Sequence, residues 1–289
     1  MKYLVVKGWL GFGDRLETLK MAVRYALDNQ LKIYVDWSDE MWSHGSENFY
    51  TYFKLIGMPV LESLDDIPED ATYYPPYWKD HIKEPLTMDV INKKVELGLD
   101  LGMLNKTYDG DVVVVSSIGN RILYGDSTFF ANVFRVVDVR ILNKLRQRRS
   151  RYPIEQSWGI HIRGTDRLKP HKRILSIQSI VSLITMHGGL NGPKMTVVSD
   201  DKENSEIWKR YYPDSFLASE LSIQQESTAG NHNLSKDKLK FTKDEMNVDA
   251  LTDFFTLALT QRIYTTCKDS RFTQEARRLQ PFVKRILGE

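Results

Sequence analysis

The sequence predicts an α/β fold in which two modules, each built around a parallel sheet, face a crevice between them. Residues 3–37 read as strand, glycine-rich turn, helix and strand, and residues 157–201 repeat the order strand, helix and strand. Units of this kind build parallel sheets, because parallel strands need a long crossover that is usually a helix. The chain has 289 residues, of which 42% are hydrophobic, enough for one large domain or two of ordinary size.

The first module opens with a short apolar strand, YLVVK at residues 3–7. A glycine-rich turn follows, then a predicted helix at residues 15–30, where apolar residues recur at helical spacing. LKIYVDW is the second strand. Gly8, Gly11 and Gly13 lie in the turn. Glycines permit a sharp turn and let backbone amides approach a ligand at a helix N-terminus, which predicts a binding loop here.

A basic helix closes the first module. Residues 138–151 form an amphipathic pattern, preceded by a buried strand of four valines. The last turns of this helix carry Arg146, Arg148, Arg149 and Arg151. We interpret these cations as a solvated helix C-terminus, which suits the helix dipole, rather than as a nucleic-acid surface. Pro153 marks the predicted boundary, which gives an N-terminal domain of residues 1–152 and a C-terminal domain of residues 153–289.

The second module is organised around WGIHIRGTDRLKPHKR, residues 158–173. A short buried strand ends there in a burst of cations that begins at Arg163, the expected layout for a binding loop at the carboxyl edge of a parallel sheet. Arginine offers a planar fork of donors that matches a phosphate or a carboxylate. A solvated basic loop is the other interpretation of the same composition.

Carboxylates follow the next strand of the second module. KMTVVSDD closes with Ser199, Asp200 and Asp201. Side chains in this position suit hydrogen bonds from a ribose or a base, and they equally suit an ordinary helix cap.

Two helices complete the second module. VDALTDFFTLALTQ carries Asp249 and Asp253 on one face, and both need partners because an unpaired buried charge is costly. A strand, RIYTTC, leads to Ser270, a good N-cap for the last helix. Residues 219–243 are polar and poorly periodic, which predicts a loop.

Composition excludes several classes of protein. The formal net charge is +2, from 40 basic and 38 acidic residues, so any basic patch is local and no overall nucleic-acid-binding signature is present. The single cysteine, Cys267, excludes an intrachain disulfide and argues against a cysteine-based zinc site. The apolar run at the start is too short for a signal peptide or a membrane anchor. We therefore expect a cytoplasmic protein that does not insert into a membrane.

One alternative is an NAD(P)-binding oxidoreductase. Asp36 ends the second strand about 20 residues after the glycines, as in a dinucleotide-binding fingerprint. The glycines, however, read G-x-x-G-x-G instead of the usual G-x-G-x-x-G, and Asp14 and Arg15 stand where that fingerprint has small residues. This hypothesis also leaves the motifs of the second module unexplained.

Several segments together resemble one family of enzymes. SRFTQEARRL at residues 270–279 is similar to the last motif of the bacterial nodulation fucosyltransferases, and the same comparison places Asp253 on an aspartate of that family. HIRGTDR resembles the H-x-R-R-T-D-K motif of the core α1,6-fucosyltransferases. The segment from LGFGD to the closing DW resembles the amino-terminal G-x-G-D-x-L helix of the nodulation enzymes, and VVSDD matches their strand that ends in an aspartate. The chain thus resembles the broad α1,6/protein-O-fucosyltransferase superfamily.

The resemblance implies a GT-B-like fold, with two Rossmann-like domains and the donor held mainly by the second. It implies inverting transfer of a sugar from a nucleotide sugar, usually GDP-fucose, without a metal or other cofactor. Arg163 would bind the diphosphate and stabilise the leaving group, as negative charge develops there. The donor-binding residues predicted from the motifs and the glycine turn are Gly11, Gly13, Arg15, His161, Arg163, Arg167, Ser199, Asp200, Asp201, Asp253, Ser270, Arg271 and Phe272.

The chain departs from the family pattern in two places. The second arginine of the motif is Gly164 here, and Arg167 is positioned to replace its charge. The glutamate that follows the motif in the core enzymes is missing, so another residue must act as the base that an inverting transfer needs. Asp14 is the first candidate, because protein-O-fucosylating enzymes can carry a glutamate in the equivalent loop; Asp166 and His171 are the next.

Two further alternatives stay open. The same chemistry could use another donor, such as UDP-xylose, because Gly164 alters the loop. A catalytically inactive carbohydrate-binding protein on the same fold would bind nucleotide without turnover. The expected partners are a nucleotide sugar and a carbohydrate acceptor, and we expect a bacterial or viral origin; the sequence names neither the acceptor nor the oligomeric state.

Overall fold

The computed structural model describes residues 2–93, 107–116, 126–164, 175–188, 194–225 and 234–289. The chain divides into two compact units, Met1–Val137 with Arg285–Glu289, and Asp138–Lys284. This division falls one helix before the predicted boundary at residue 152. The helix of residues 139–151 belongs to the second unit, to which a buried ion pair between Arg148 and Asp253 ties it. The assignment of acceptor and donor roles to the two domains stays a prediction.

The first unit is built on a parallel sheet. Its described strands and helices are β1 (Tyr3–Lys7), α1 (Phe12–Asp28), β2 (Lys32–Asp36), α2 (Phe49–Tyr52), β3 (Phe53–Leu55), β4 (Tyr73–Tyr74), α3 (Met88–Asn92), β5 (Val112–Ser116), α4 (Ser127–Val133) and β6 (Phe134–Val136). The parallel sheet has the strand order β2–β1–β5–β4, and β3 and β6 form a separate antiparallel pair. The predicted strand–turn–helix–strand unit is therefore confirmed as β1–α1–β2.

Helix α1 begins at the glycine turn and is buried along most of its length. Gly11 is its N-cap, and Asp14 lies in the first turn, where a carboxylate is favoured by the helix dipole. Trp78 is fully buried and belongs to the same hydrophobic core cluster as Val5 of β1 and Val112 of β5. The four valines of β5 are buried, as expected for a central strand covered on both faces.

The second unit holds another parallel sheet. Its described elements, with the last helix of the chain, are α5 (Val139–Arg151), β7 (Trp158–Ile162), α6 (Ile177–Gly188), β8 (Met195–Ser199), α7 (Lys202–Tyr211), β9 (Phe216–Leu217), α8 (Leu221–Gln224), α9 (Lys243–Leu259), β10 (Arg262–Thr265), α10 (Arg271–Leu279) and α11 (Val283–Leu287). The strand order is β10–β7–β8–β9, with every pair parallel. The strands predicted at residues 157–163, 194–201 and 262–267 are confirmed, with shorter bounds.

The segment predicted as a loop at residues 219–243 is partly structured. It contains the short helix α8, whose first amides, on Leu221 and Ser222, donate to the buried carboxylate of Asp249 at 3.0 Å each. The prediction of a continuous loop was wrong at α8, because a carboxylate far along the chain caps this helix and local periodicity cannot reveal such a contact. None of the described helices is both long and apolar enough to span a membrane.

Candidate functional site

The pairing of β7 with β8 brings a cation and a carboxylate to one edge of the second sheet. Ile162 lies opposite Ser199 in this parallel pair, so the next residues, Arg163 and Asp200, leave the sheet side by side. Arg163 Nη1 donates to Asp200 Oδ2 at 2.6 Å, and the Gly164 amide donates to Asp200 Oδ1 at 2.9 Å. The Arg163 side chain remains 23% exposed, so its guanidinium is oriented by Asp200 while solvent still reaches it.

The strand on the other side of β7 fixes the backbone of the same residue. Thr265 of β10 pairs with His161, and the following Thr266 is buried. The Arg163 amide donates to Thr266 Oγ1 at 2.9 Å. Three neighbouring strands therefore hold Arg163, through its amide on one side and its guanidinium on the other. This is a pre-organised cation at the carboxyl edge of a parallel sheet, where ligands commonly bind.

Gly164 is required by the close approach of the next carboxylate. A Cβ at this position would lie 1.8 Å from Asp201 Oδ2 and 2.5 Å from Asp201 Cβ. Asp201 is itself held as the N-cap of α7, where its carboxylate accepts from the Asn204 amide at 2.9 Å and from Asn204 Nδ2 at 2.7 Å. The sequence allowed these carboxylates to be either ligand contacts or a helix cap. In the structure Asp201 is the helix cap, and Asp200 is the partner of Arg163.

His161 lies beneath this edge, in contact with α10. Its Nδ1 is 2.6 Å from Thr273 Oγ1, and its ring lies 5.3 Å from the ring of Phe272. Ser270 caps the same helix by accepting from the Thr273 amide at 3.3 Å. Complete burial, reinforced by the charge of Arg163, lowers the pKa of His161 to about 4. The imidazole is therefore neutral at pH 7, which is compatible with its hydrogen bond to a hydroxyl.

Asp253 is buried in α9, behind the same edge of the sheet. Arg148 of α5 donates from Nη1 to its Oδ1 at 2.8 Å, and the Ser219 hydroxyl donates to its Oδ2. Burial raises the pKa of Asp253 to about 7, although the neighbouring Arg148 opposes the shift. Arg148 is 3% exposed, so the interpretation of the basic helix end as fully solvated was wrong for this residue.

The low pKa of His161 predicts a specific loss of stability in acid. An ordinary pKa of 6.5 in the unfolded chain means that the unfolded state binds the proton first as the pH falls. The contribution of His161 is thus complete above pH 6.5 and is lost as the pH falls through about 4. Between pH 7 and pH 4.5 the loss amounts to about 2–3 kcal/mol of unfolding free energy.

Urea unfolding of the wild type and of His161→Gln at pH 7 and pH 4.5 measures this loss. The difference in stability between the two proteins should shift in favour of the variant by about 2–3 kcal/mol on acidification. Asp253 acts in the opposite direction, because its raised pKa favours the folded state at pH values below about 7. Its effect is common to both proteins and cancels in the comparison. A difference that is independent of pH would contradict the burial of a neutral imidazole.

In the first unit, Arg15 is part of the structure of the glycine turn. Its guanidinium donates to both oxygens of Asp39 at 2.7 Å and lies 5.4 Å from the ring centre of Trp37. Its Nε donates to the carbonyl of Leu10, a residue with φ of 65°. The residue is 1% exposed, and a Cβ on Gly8 would lie 2.0 Å from its Nη1. Arg15 therefore stabilises the shape of the turn; donor binding by Arg15 stays a prediction.

The other predicted residues of the turn lie at the start of α1. Gly11 is the N-cap and has open surroundings, since the nearest side-chain atom to a Cβ built there would be Asp14 Oδ2 at 3.8 Å. Gly13 is buried in the first turn of the helix, and Asp14 is half-buried one residue later. Asp14 is thus placed at the end of a glycine turn with part of its side chain accessible to solvent.

Asp36, the acid of the dinucleotide fingerprint, is engaged inside the protein. The ammonium of Lys7 donates to Asp36 Oδ2 at 2.5 Å, and Ser38 donates to the other oxygen. Asp36 is only 7% exposed and Lys7 only 1%. A carboxylate that binds a ribose has to be presented to the ligand, so this geometry argues against the NAD(P) hypothesis.

Some predicted residues lie outside the described part of the chain. These are Asp166, Arg167 and His171, whose roles stay predictions. Arg271 is half-buried in the first turn of α10. Among the described residues, no group of three or more His, Cys, Asp or Glu side chains is placed to hold a metal ion.

The structure adds residues that the sequence did not single out as part of this site. Thr266 and Thr273 hold the backbone of Arg163 and the ring of His161, and Arg148 holds Asp253. The sequence could not identify these two threonines as part of the site, because their partners lie more than 100 residues away in the chain. The buried Asp253 was a usable signal, since it had to have a partner.

Comparison of the whole structure finds solved structures with the same fold. A fucosyltransferase NodZ from Bradyrhizobium matches with a TM-score of 0.66 and 16% identity, over 96% of this chain and 93% of that chain. A NodZ α1,6-fucosyltransferase soaked with GDP-fucose matches with a TM-score of 0.65 and 17% identity, over 97% and 94%. POFUT1 in complex with GDP matches with a TM-score of 0.56 and 13% identity, over 96% and 94%.

The predicted α/β fold of the GT-B type is confirmed by this similarity, which covers both units of the chain. A mutant of Arabidopsis thaliana FUT1 in complex with GDP also matches, with a TM-score of 0.53 and 14% identity over 96% of this chain and 68% of that chain. No protein-family model matches the sequence, and no curated protein matches it significantly.

Proposed function

We propose that the chain is an inverting, metal-independent glycosyltransferase that moves fucose from GDP-fucose onto a glycan or glycoconjugate. The observation that carries the proposal is the placement of Arg163, a partly exposed cation fixed by Asp200 and Thr266 at the carboxyl edge of the second sheet. Its support comes from the fold, which the chain shares over nearly its full length with fucosyltransferases, one of them soaked with GDP-fucose.

The proposed reaction is a single displacement. An acceptor hydroxyl attacks the anomeric carbon of the sugar, and the bond from that carbon to the β-phosphate oxygen breaks. The electron pair stays with GDP, whose diphosphate gains negative charge that Arg163 stabilises. The proton of the attacking hydroxyl passes to a carboxylate, for which Asp14 is the proposed base because it is half-buried and lies at the glycine turn.

The residues around Arg163 have distinct proposed roles. Asp200 orients the guanidinium through its hydrogen bond from Arg163 Nη1. His161, Ser270 and Phe272 form the adjacent wall of the donor site, with Ser270 at the N-terminus of α10, where backbone amides favour an anion. A neutral His161 suits this wall, since it can accept or donate one hydrogen bond without adding a charge.

A panel of nucleotides, followed by thermal unfolding, tests the proposal. The panel contains GDP, GDP-fucose, UDP, UDP-xylose, UDP-glucose and NADH. A nucleotide that binds the wild type and is present at 100 times its dissociation constant should stabilise the folded state by about 2.7 kcal/mol. A nucleotide that does not bind should leave the unfolding temperature unchanged. We expect this shift with GDP and GDP-fucose, and we expect Arg163→Ala to abolish it because the diphosphate loses its cation.

Arg146→Ala is the matched control. Arg146 is an exposed arginine of α5 in the same unit, and its Nη1 contacts only the neighbouring Asn143 among the bonds that the described residues show. This variant should keep the full shift. A shift with UDP compounds alone would retain the diphosphate site and discard fucose, and a shift with NADH alone would overturn the proposal in favour of the oxidoreductase.

A further inference from the structure

Only one of the two ring nitrogens of His161 is bonded inside the second unit. Nδ1 is 2.6 Å from Thr273 Oγ1 and 3.5 Å from Thr265 Oγ1. Nε2 has no hydrogen-bond partner among the residues that the structure describes. Because the ring is neutral at pH 7, one nitrogen carries a proton and donates, while the other is a bare acceptor. The contacts of Nδ1 therefore decide what Nε2 offers to a ligand.

The hydroxyl of Thr273 favours a bare Nδ1. Thr273 is 1% exposed, and within the described part of the chain the imidazole is the only partner of its hydroxyl. If Nδ1 carried the proton and donated to Oγ1, the hydroxyl proton would be buried without an acceptor, which is costly. If the hydroxyl donates to Nδ1 instead, its proton is used. The second arrangement is favoured, and it places the ring proton of His161 on Nε2.

The hydroxyl of Thr265 is bonded without the histidine. Its Oγ1 accepts from the amide of Cys267 at 3.1 Å and donates to the carbonyl of the same residue at 3.3 Å. Its distance from Nδ1, 3.5 Å, is longer than an ordinary hydrogen bond. Thr273 is therefore the partner that sets the state of the ring, and Thr265 becomes the nearest acceptor for Nδ1 only when the Thr273 hydroxyl is removed.

We propose that Thr273 is a positioning residue, which fixes the Nε2–H tautomer of His161 so that this nitrogen donates to an oxygen of the bound nucleotide. This role rests on the proposed function, in which His161 forms part of the wall of the donor site, two residues before Arg163. A buried donor needs an acceptor, and the ribose and the diphosphate of a nucleotide consist of such oxygens at their surface. In the other tautomer Nε2 would be a bare acceptor, which repels the same oxygens.

Nitrogen-15 NMR of histidine-labelled protein at pH 7, without nucleotide, tests the tautomer directly. Long-range couplings to the carbon-bound ring protons show which nitrogen carries the hydrogen. The chain has 6 histidines, and His161→Gln identifies the signals of His161 by their loss. We expect Nε2–H in the wild type and in Thr273→Ser, which keeps the hydroxyl. We expect mainly Nδ1–H in Thr273→Val, where Thr265 Oγ1 is left as the acceptor.

Two results of the NMR experiment would overturn the proposal. The first is a wild type with the proton on Nδ1, a result that needs no variant to fold. The second is a Thr273→Val protein that keeps the Nε2–H tautomer of the wild type.

Calorimetric titration with GDP measures the consequence for binding. Thr273→Val should raise the dissociation constant about tenfold, because the binding-competent tautomer of His161 becomes the minor one. Thr273→Ser should stay within about twofold of the wild type, since its hydroxyl still donates to Nδ1. Equal losses in the serine and the valine variants would assign the effect to the methyl group of Thr273 and would overturn the proposal.

The His161→Gln background separates control of the tautomer from packing. The glutamine amide nitrogen is always a donor, so it replaces Nε2–H and has no tautomer to be fixed. Thr273→Val should therefore change the dissociation constant for GDP by less than about twofold in this background. A loss as large as in the protein with His161 would show that Thr273 acts through packing, which contradicts the proposed role.

Thr252→Val is the matched control. Thr252 is a buried threonine of α9, and its hydroxyl donates to the carbonyl of Val248 in the same helix at 2.7 Å. This variant should bind GDP like the wild type and keep the Nε2–H tautomer of His161. A wild type that binds no nucleoside diphosphate would overturn the proposed function and the donation to a nucleotide with it. The tautomer, which is measured without nucleotide, distinguishes that outcome from a failure of Thr273 to control the ring.

Discussion

Gly164→Arg is expected to weaken binding of the nucleoside diphosphate about tenfold or more, although it restores the second arginine of the resembled motif. The reason is the space at this position and not the charge. The three atoms nearest to a Cβ on residue 164 all belong to Asp201, at 1.8–2.5 Å. Any side chain here must displace Asp201 or move the backbone of the Arg163 loop.

Neither displacement is easy. Asp201 is bound by the Asn204 amide and side chain, and its own amide donates to Ser199 Oγ at 2.9 Å. Moving the loop instead would break the bond from the Gly164 amide to Asp200 Oδ1, and Asp200 would lose its fixed position beside Arg163. Overpacking of this kind costs about 1–3 kcal/mol.

Asp201→Gly should rescue part of the loss, since it removes the clashing atoms. Glycine in place of an aspartate N-cap lowers helix stability by only a few tenths of a kcal/mol. GDP titrations of Gly164→Ala, Gly164→Arg and each with Asp201→Gly measure the rescue. Gly45→Ala is the control, because a Cβ there would have its nearest contact at 3.7 Å. Unchanged or tighter binding by Gly164→Arg would show that charge, and not space, decides this position.

The buried parallel strands of both sheets could be predicted from the local sequence. Strands β1, β5, β7 and β8 are short apolar runs, and a buried parallel strand needs little else. The position of Arg163 followed from the same rule, because the residue after a buried parallel strand lies at the carboxyl edge of the sheet. The side-chain partners of the charged residues could not be predicted from local sequence. Arg148 and Asp253, for example, form an ion pair although they are separated by 105 positions.

Charged residues show most clearly what the sequence leaves undetermined. Arg15 lies two residues after Gly13 and Arg163 directly precedes Gly164, and both were predicted to bind the donor. The structure buries Arg15 against Asp39, whereas it leaves Arg163 partly exposed beside Asp200. The difference arises from the aromatic residues of the first unit that close over Arg15, and their packing depends on tertiary contacts that no local pattern encodes.

Lys7→Met is expected to destabilise the protein by about 3–5 kcal/mol, the cost of breaking a buried ion pair by removing one partner. The ammonium of Lys7 is surrounded by acceptors: Asp36 Oδ2 at 2.5 Å, the Glu84 carbonyl at 2.8 Å and the Ile82 carbonyl. It also lies 4.8 Å from the ring centre of Trp78. Methionine fills much of the same volume but leaves the carboxylate of Asp36 without a counter-charge.

Asp36→Asn in the Lys7→Met background should recover part of the stability. The amide carries no charge, and its oxygen can still accept from the amide and the hydroxyl of Ser38. The carbonyls of Ile82 and Glu84 lack the Lys7 donor in both variants, so the recovery of stability should be incomplete. Urea unfolding of the single and double variants gives the coupling between residues 7 and 36.

Lys54→Met controls for the loss of a strand lysine as such, because Lys54 is an exposed lysine of β3. It should change the unfolding free energy by less than about 0.5 kcal/mol. A similarly small effect of Lys7→Met would mean that Asp36 does not depend on Lys7. The carboxylate would then be available to a ribose, and the oxidoreductase hypothesis would regain the residue on which it depends. A large, coupled loss instead assigns Asp36 to the interior of the first unit, where it serves as the counter-charge of Lys7 and is not presented to a ribose.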